Sequence, residues 1–174
     1  MRTTRPRRAT TPPGGRSISV SVARSRLIPA LAALVLWAGA ALGDAAPQRV
    51  VSINLCTDQL ALALAAPGQL VSVSRLSHDP SSSALWEEAR ALPANGSSAE
   101  EVYLLDPDLV LAGSFTAPAT LAMLRDLGIR VEVFSPARSL DDIAANMARM
   151  GAALGREEAA RAALAAFTAR RAAL

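Results

Sequence analysis

The sequence predicts an α/β domain with a parallel sheet of about four strands and helices on both faces. The first observation is that short runs rich in β-branched residues alternate four times with segments of helical spacing. The second is that helix stop signals close these segments, as Pro67, Gly68 and Gly128 do. The four strand candidates are residues 49–53, 70–74, 109–112 and 130–134. Such alternation is typical of a Rossmann-like lobe.

A helical segment follows each strand, in most cases directly. Residues 57–66 are apolar on nearly all faces, as in an interior helix, and residues 117–127 carry leucines at helical spacing. Cap spacings from Ser98 to Glu101 and from Ser139 to Asp142 predict helices that end near residues 105 and 154. Residues 75–98 lack periodicity and predict a long loop with one helical turn at 84–91, and the alanine-rich residues 156–174 predict a final helix.

The first 43 residues have the pattern of a secretory signal peptide. Seven of the 18 basic residues lie in the first 26 positions, and no acid precedes Asp44. Residues 27–42 carry no charge and are too few for a membrane span, which needs about 20 apolar residues. We expect a signal helix that is cleaved before Asp44, with an uncleaved anchor as the alternative.

The remainder, residues 44–174, is predicted to be an acidic periplasmic protein. It has eleven arginines against fifteen acids, a balance that argues against a nucleic-acid surface. The single cysteine, Cys56, lies too far beyond the apolar run to carry a lipid and has no partner for an internal disulfide. We expect an α/β lobe over residues 44–138, a helical segment over residues 139–174, and a monomer without a lipid anchor.

The residue types exclude several kinds of site. Residues 54–58, after the first strand, contain no glycine, so a dinucleotide site is disfavoured. One histidine and one cysteine are too few for a typical metal site, and no nucleophile and base pair stands out. We therefore predict no catalytic residue, no metal and no cofactor.

Ligands of parallel sheets bind where the strands end, and here the strands lead into residues 54–58, 75–80, 113–116 and 135–139. Each candidate has a plainer alternative. Cys56 and Thr57 could serve the helix start, with Thr57 as N-cap and Asp58 as a first-turn acid; His78 could be a surface residue; and Trp86 could pack the long loop. Phe134 and Phe167 are expected in the core. The ligand-binding candidates are Asn54, Cys56, Thr57, His78, Trp86, Ser114 and Phe115.

Four segments in this order resemble the first lobe of a known family. RVVSINLCTDQLALALA, LVSVSRLSHDP, SSAEEVYLLDPDLVLAG and LRDLGIRVEVF are similar to segments of periplasmic solute-binding proteins of ABC importers, of the vitamin B12 and iron-siderophore type. The resemblance covers residues 49–174. It implies two lobes bridged by a long interlobe helix, with the ligand between them, and residues 139–174 would begin that bridge.

The resemblance also implies a partner and a ligand class. In the family a glutamate on each lobe docks against the membrane permease. Glu100 matches the first-lobe position, with Glu101 beside it, although both acids also favour a helix N-terminus. The ligand would be a metal chelate such as a ferric siderophore, heme or a cobalamin-like compound. Leu76 and Ala94 stand where the B12 binder has aromatic residues, which favours a ferric siderophore or another metal chelate over B12 itself. The expected function is delivery of a metal-chelate nutrient to an ABC permease. The alternatives are an exported, hydrolase-like α/β enzyme and a membrane-anchored interaction domain.

Overall fold

A parallel five-stranded sheet forms the centre of the protein, shown here as a computed structural model that describes residues 45–173. The order across the sheet is β3-β2-β1-β4-β5, and every neighbouring pair is parallel. The strands are β1 (Val50–Ser52), β2 (Leu70–Ser74), β3 (Ala94–Asn95), β4 (Leu109–Gly113) and β5 (Arg130–Phe134). The predicted α/β class is confirmed, while the predicted signal helix lies outside the described residues.

The helices alternate with these strands much as predicted. They are α1 (Leu55–Leu64), α2 (Trp86–Ala89), α3 (Ala99–Tyr103), α4 (Pro118–Asp126), α5 (Leu140–Leu154) and α6 (Glu157–Ala172), with a 3-10 helix at Arg75–His78. The expected caps are present: the Ser98 side chain accepts the N–H of Glu101, and that of Ser139 accepts the N–H of Asp142. Within residues 45–173 no helix combines the length and the apolar character needed to cross a bilayer.

Alternating side chains of the strands fill two cores, one on each face of the sheet. Val50 and Leu109 pack with α1, α5 and α6 on the first face, whereas Val51 and Val110 pack with α3 and α4 on the second. All four valine and leucine side chains are fully buried, and each such burial contributes about 1.5–3 kcal/mol before conformational entropy is counted. Phe134 is buried as expected, but Phe167 on α6 is only half-buried.

The direction of the chain across the sheet reverses between β1 and β4. From β1 it moves through α1 to β2 on the first face, and from β4 it moves through α4 to β5 on the second. Helices on opposite faces for opposite directions are what right-handed crossovers require. The crevice between the carboxyl ends of β1 and β4 is therefore the topological switch point, where sheets of this kind bind ligands.

The amino edge of the sheet is closed by a buried glutamine. Gln69 Nε2 donates to the carbonyl oxygens of Pro47 and Leu154, each at 2.8 Å. Gly155, in the left-handed conformation with φ 65°, then turns the chain from α5 into α6. These contacts tie the start of β1 and the α5–α6 corner to the edge opposite the switch point.

Candidate ligand-binding site

Asn54 and Gly113 meet at the switch point. Asn54 follows β1, and a Cβ added at Gly113, the last residue of β4, would lie 2.7 Å from Asn54 Nδ2. Only glycine therefore leaves room for the Asn54 amide between the two strand ends. Asn54 Oδ1 accepts the N–H of Cys56 at 3.0 Å and caps α1, so this residue orients the helix start at the crevice.

The cap of α1 differs from the one expected. The N-cap is Asn54, one turn earlier than the predicted Thr57, because the asparagine already has extended backbone geometry and an accepting side chain. Thr57 is instead inside the first turn and fully buried, and its hydroxyl is 2.8 Å from Ser52 Oγ. Asp58 is in the first turn as predicted, and it too is fully buried.

Asp58 connects α1 to the turn that follows β2. Its carboxylate accepts hydrogen bonds from the Ser74 backbone N–H, at 3.2 and 3.3 Å, and from the hydroxyls of Ser74 and Ser77. Ser77 belongs to the 3-10 helix Arg75–His78, which starts at the carboxyl end of β2. A buried carboxylate that receives this many donors fixes the path of the chain at this end of the sheet.

Asn95 performs the same task at the end of β3. Its side-chain amide donates to the carbonyl oxygens of Ser52 and Val73 and to Ser72 Oγ, at 2.9–3.0 Å. Its Oδ1 accepts the N–H of Ser97, whose hydroxyl in turn donates to the Ile53 carbonyl at 2.9 Å. We call Asp58, Ser74, Ser77, Asn95 and Ser97 the β2–β3 half of the carboxyl edge; their side chains are all hydrogen-bonded within the chain.

The other side of the edge, which we call the β4–β5 half, is built from Ser114, Phe115, Ser135 and Arg138. These residues line a cavity of about 450 Å³ beyond the ends of β4 and β5. Within residues 45–173 the hydroxyls of Ser114 and Ser135 and the guanidinium of Arg138 make no hydrogen bond. Phe115 is 85% exposed. Unengaged donors beside an exposed aromatic ring are the mixture that small-molecule sites use.

An apolar cleft of about 320 Å³ adjoins this cavity, between α1 and α5. Leu60 of α1 and Ile143 of α5 line it together with Phe134 and Pro136, and the exposed Cys56 lines it as well. The cleft and the cavity share Ser135, Pro136 and Asn146. Together they form one continuous concave surface with an apolar part and a polar part, directly beyond β4 and β5.

The cap of α5 holds one wall of this surface. Asp142 accepts the N–H of Arg138 at 2.8 Å, while its own N–H donates to Ser139 Oγ at 3.1 Å. The bond from the Arg138 N–H, followed by that from the Ser139 side chain, holds the pKa of the Asp142 carboxyl below its ordinary value. The carboxylate form thus fixes the backbone of the loop that carries Arg138.

Two of the predicted ligand contacts, His78 and Trp86, lie in the long segment after β2 and line neither the polar cavity nor the apolar cleft. His78 Nε2 lies 3.0 Å from the Ala89 carbonyl and 3.1 Å from that of Leu92; because carbonyls only accept, this nitrogen carries the proton. Trp86 begins α2, with the Arg90 guanidinium 5.5 Å from its ring centre. Trp86 thus contacts its own segment, and His78 is half-buried and hydrogen-bonded there, unlike the surface residue that its alternative describes.

The same segment is more ordered than the predicted loop. Asp79 accepts hydrogen bonds from the N–H and the hydroxyl of Ser81 and from the hydroxyl of Ser82, and these bonds lower the pKa of its carboxyl. The 3-10 helix, α2 and β3 follow one another within it. Local hydrogen bonds thus order a segment whose sequence lacks helical or strand periodicity.

Glu100 and Glu101 have different surroundings at the start of α3. Glu101 accepts the Gly96 N–H and forms an ion pair with Arg75 at 3.1 Å. Glu100 is exposed, and its carboxylate contacts no cation in the described residues. Of the two predicted docking acids, Glu100 is therefore the one available to an external partner.

The structure brings five of the seven ligand candidates to the carboxyl edge of the sheet. Cys56 and Thr57 line the apolar cleft, Ser114 and Phe115 line the polar cavity, and Asn54 borders a smaller cavity between β1 and β2. Sequence reasoning did not single out Ser135 or Arg138. The rule that ligands bind at strand ends, applied residue by residue to 135–139, would have found both. Among residues 45–173 no three His, Cys, Asp or Glu side chains converge as a metal site would require.

Comparison with known proteins agrees with this architecture. The cobalamin-binding protein of Halobacterium salinarum is 33% identical over 113 residues, which are 64% of this chain and 30% of that protein. A periplasmic heme-binding protein from Pseudomonas aeruginosa superposes with a TM-score of 0.59 at 30% identity, over 71% of this chain and 44% of the other. The periplasmic vitamin B12-binding protein BtuF of Vibrio cholerae gives 0.58 at 28%, over 71% and 48%.

The chain spans less than half the length of these relatives. The part that it shares with the two solved structures corresponds to the lobe described above. The sequence profile of the family described as "Periplasmic binding protein" matches residues 50–174, nearly all of the described residues. The chain therefore belongs to the periplasmic binding protein family.

Proposed function

We propose that this chain is the first lobe of the substrate-binding component of an ABC importer and that it binds a metal-chelate nutrient in the periplasm. The observation that carries the proposal is the concave surface beyond β4 and β5, where an apolar cleft adjoins an open polar cavity. A flat chelate with an apolar body and a polar rim matches such a surface. The heme and B12 binders of this fold support the ligand class.

Binding without chemistry is part of the proposal. Cys56 lines the cleft and is exposed, and none of the other residues that line the cleft carries an imidazole, a carboxylate or an amine that could act as a base. His78 directs its protonated nitrogen towards two carbonyl groups of its own loop. Neither residue is thus placed as nucleophilic catalysis requires, and this favours a carrier over the exported enzyme considered as an alternative.

Export and docking complete the proposed role. The basic and apolar residues 1–43 would direct the chain to the periplasm, where it would act as a monomer without a lipid anchor. Glu100, exposed at the start of α3, would meet a basic residue of the permease, as the family resemblance implies. Glu101 would keep its structural contacts to Arg75 and Gly96.

A binding panel tests the ligand class. The purified chain is titrated with iron protoporphyrin, cyanocobalamin and a ferric siderophore, and the quenching of tryptophan fluorescence is followed. We expect saturable binding of at least one chelate. The assay contains no serum albumin, so no second carrier protein competes for the ligand. A cooperative melting transition shows that the protein is folded. If such protein binds none of the three chelates, the proposal is contradicted.

A second experiment tests docking. Glu100→Gln is compared with Glu88→Gln, a change of another exposed acid, on α2. We expect the first substitution, and not the second, to reduce stimulation of the ATPase of the reconstituted permease while chelate binding is unchanged. Equal stimulation by the two variants would remove Glu100 from the docking surface.

A further inference from the structure

We propose that Arg138 selects the ligand by pairing with a carboxylate that the bound chelate carries. The inference rests on the proposed function, because it assigns a chemical preference to the same concave surface. Metal chelates carry either acidic or neutral side groups. We expect this chain to prefer chelates whose side groups are acidic.

The guanidinium of Arg138 is exposed in the 450 Å³ cavity and makes no hydrogen bond or ion pair within the described residues. Its neighbour along the same edge, Arg75, has its charge matched by Glu101 at 3.1 Å. Of Arg138 and Arg75, Arg138 is therefore the one that offers its fork of donors to a ligand.

The backbone of Arg138 is held although its side chain is not engaged. Its N–H donates to Asp142 at 2.8 Å, in the cap that starts α5. On the Arg138 side this bond uses only the backbone N–H. The side chain therefore extends into the cavity from a Cα whose position the cap holds. A cation at a fixed position gives directional recognition with a small loss of backbone entropy on binding.

The surrounding groups fit a carboxylate. Asp142 lines the same cavity, and the charge of Arg138 contributes, after the hydrogen bonds of the α5 cap, to the low pKa of its carboxyl. A single guanidinium matches one carboxylate in bidentate geometry. The hydroxyls of Ser114 and Ser135 supply further donors in this cavity. Phe115, 85% exposed, provides an aromatic surface for the apolar body of the ligand.

The test compares iron protoporphyrin, which has two free carboxylates, with its dimethyl ester, in which both are neutral. Each is titrated into the full chain, into Arg138→Gln and into the control Arg161→Gln, an exposed position on α6 that lines none of the cavities above. We expect Arg138→Gln to weaken binding of the diacid about tenfold and that of the ester less than about twofold. Arg161→Gln should change neither by more than about twofold.

The outcomes separate this inference from the function on which it rests. Equal binding of diacid and ester by the unmodified chain, or equal losses of both in Arg138→Gln, overturns the role of Arg138 and leaves the carrier function intact. If the chain binds none of the chelates in the panel, both the role of Arg138 and the carrier function are overturned. Melting curves of the variants check the fold, and we expect them to overlay because neither arginine side chain has a partner in the described residues.

Discussion

The two halves of the carboxyl edge differ in how their polar groups are used. In the β2–β3 half, Asp58 and Asn95 are buried and receive or donate several hydrogen bonds each within the chain. In the β4–β5 half, Ser114, Ser135 and Arg138 leave side-chain donors unengaged in the described residues. Groups satisfied by the fold contribute to stability, whereas exposed unengaged groups contribute little to it and remain available for a ligand.

The largest expected effect comes from breaking the β2–β3 half. Asp58→Ala removes the acceptor for Ser74 and Ser77 and leaves buried donors unpaired, so the free energy of unfolding should fall by about 3 kcal/mol. Urea denaturation measures the change. The control is Ser114→Ala in the β4–β5 half, which should stay within about 0.5 kcal/mol of the original protein. Similar losses in the two variants would contradict the division between the halves.

The reverse test concerns affinity. Phe115→Ala should leave Tm unchanged, because the ring is 85% exposed, yet weaken binding of iron protoporphyrin about fivefold through loss of an aromatic contact. Leu104→Ala serves as the control, since Leu104 is 81% exposed and lies at the end of α3, outside the cavities at the edge. A lower Tm without any loss of affinity would assign Phe115 to the fold instead of the site.

The smallest expected effect is a dependence on pH at the cap of α5. Because the pKa of Asp142 is lowered in the folded protein, its carboxylate stabilises the fold above the ordinary value of about 4. This contribution is lost as the pH falls through the folded pKa. The Tm of Asp142→Asn should therefore be slightly below that of the original protein at pH 7, and the difference should shrink towards pH 3. A difference that stays constant over this range would show that charge is not involved.

Prediction from sequence was most successful where local signals and burial agree. The runs that became β2 and β5 were placed at their observed bounds, and the caps at Ser98 and Ser139 and the positive φ of Gly128 follow from residue type. The strand β3 was missed because Ala94 and Asn95 have no β preference of their own. Asn95 is held there by hydrogen bonds to Ser52 and Val73, which are distant in sequence.

The site was predictable in position more than in detail. Strand ends pointed to Asn54, Ser114 and Phe115, which lie at the edge as expected. Composition could not show that the Asp58 carboxylate would accept hydrogen bonds from Ser74. Nor could it show that Arg75 would form its ion pair with Glu101 and not with Glu100. Those assignments depend on distances between elements, and only the folded chain supplies them. The roles of these residues in binding and docking remain the proposals made above.

The buried Gln69 at the amino edge limits where the chain can be trimmed without loss of stability. Its side chain donates to the carbonyl of Pro47 and to that of Leu154 at once. Within residues 45–173, Pro47 is the first residue whose backbone carbonyl accepts from a buried side chain. A protease that cuts before residue 46 leaves this acceptor in place. A cut beyond Pro47 leaves a buried amide donor short of a partner, and the shortened product should become a substrate for further degradation.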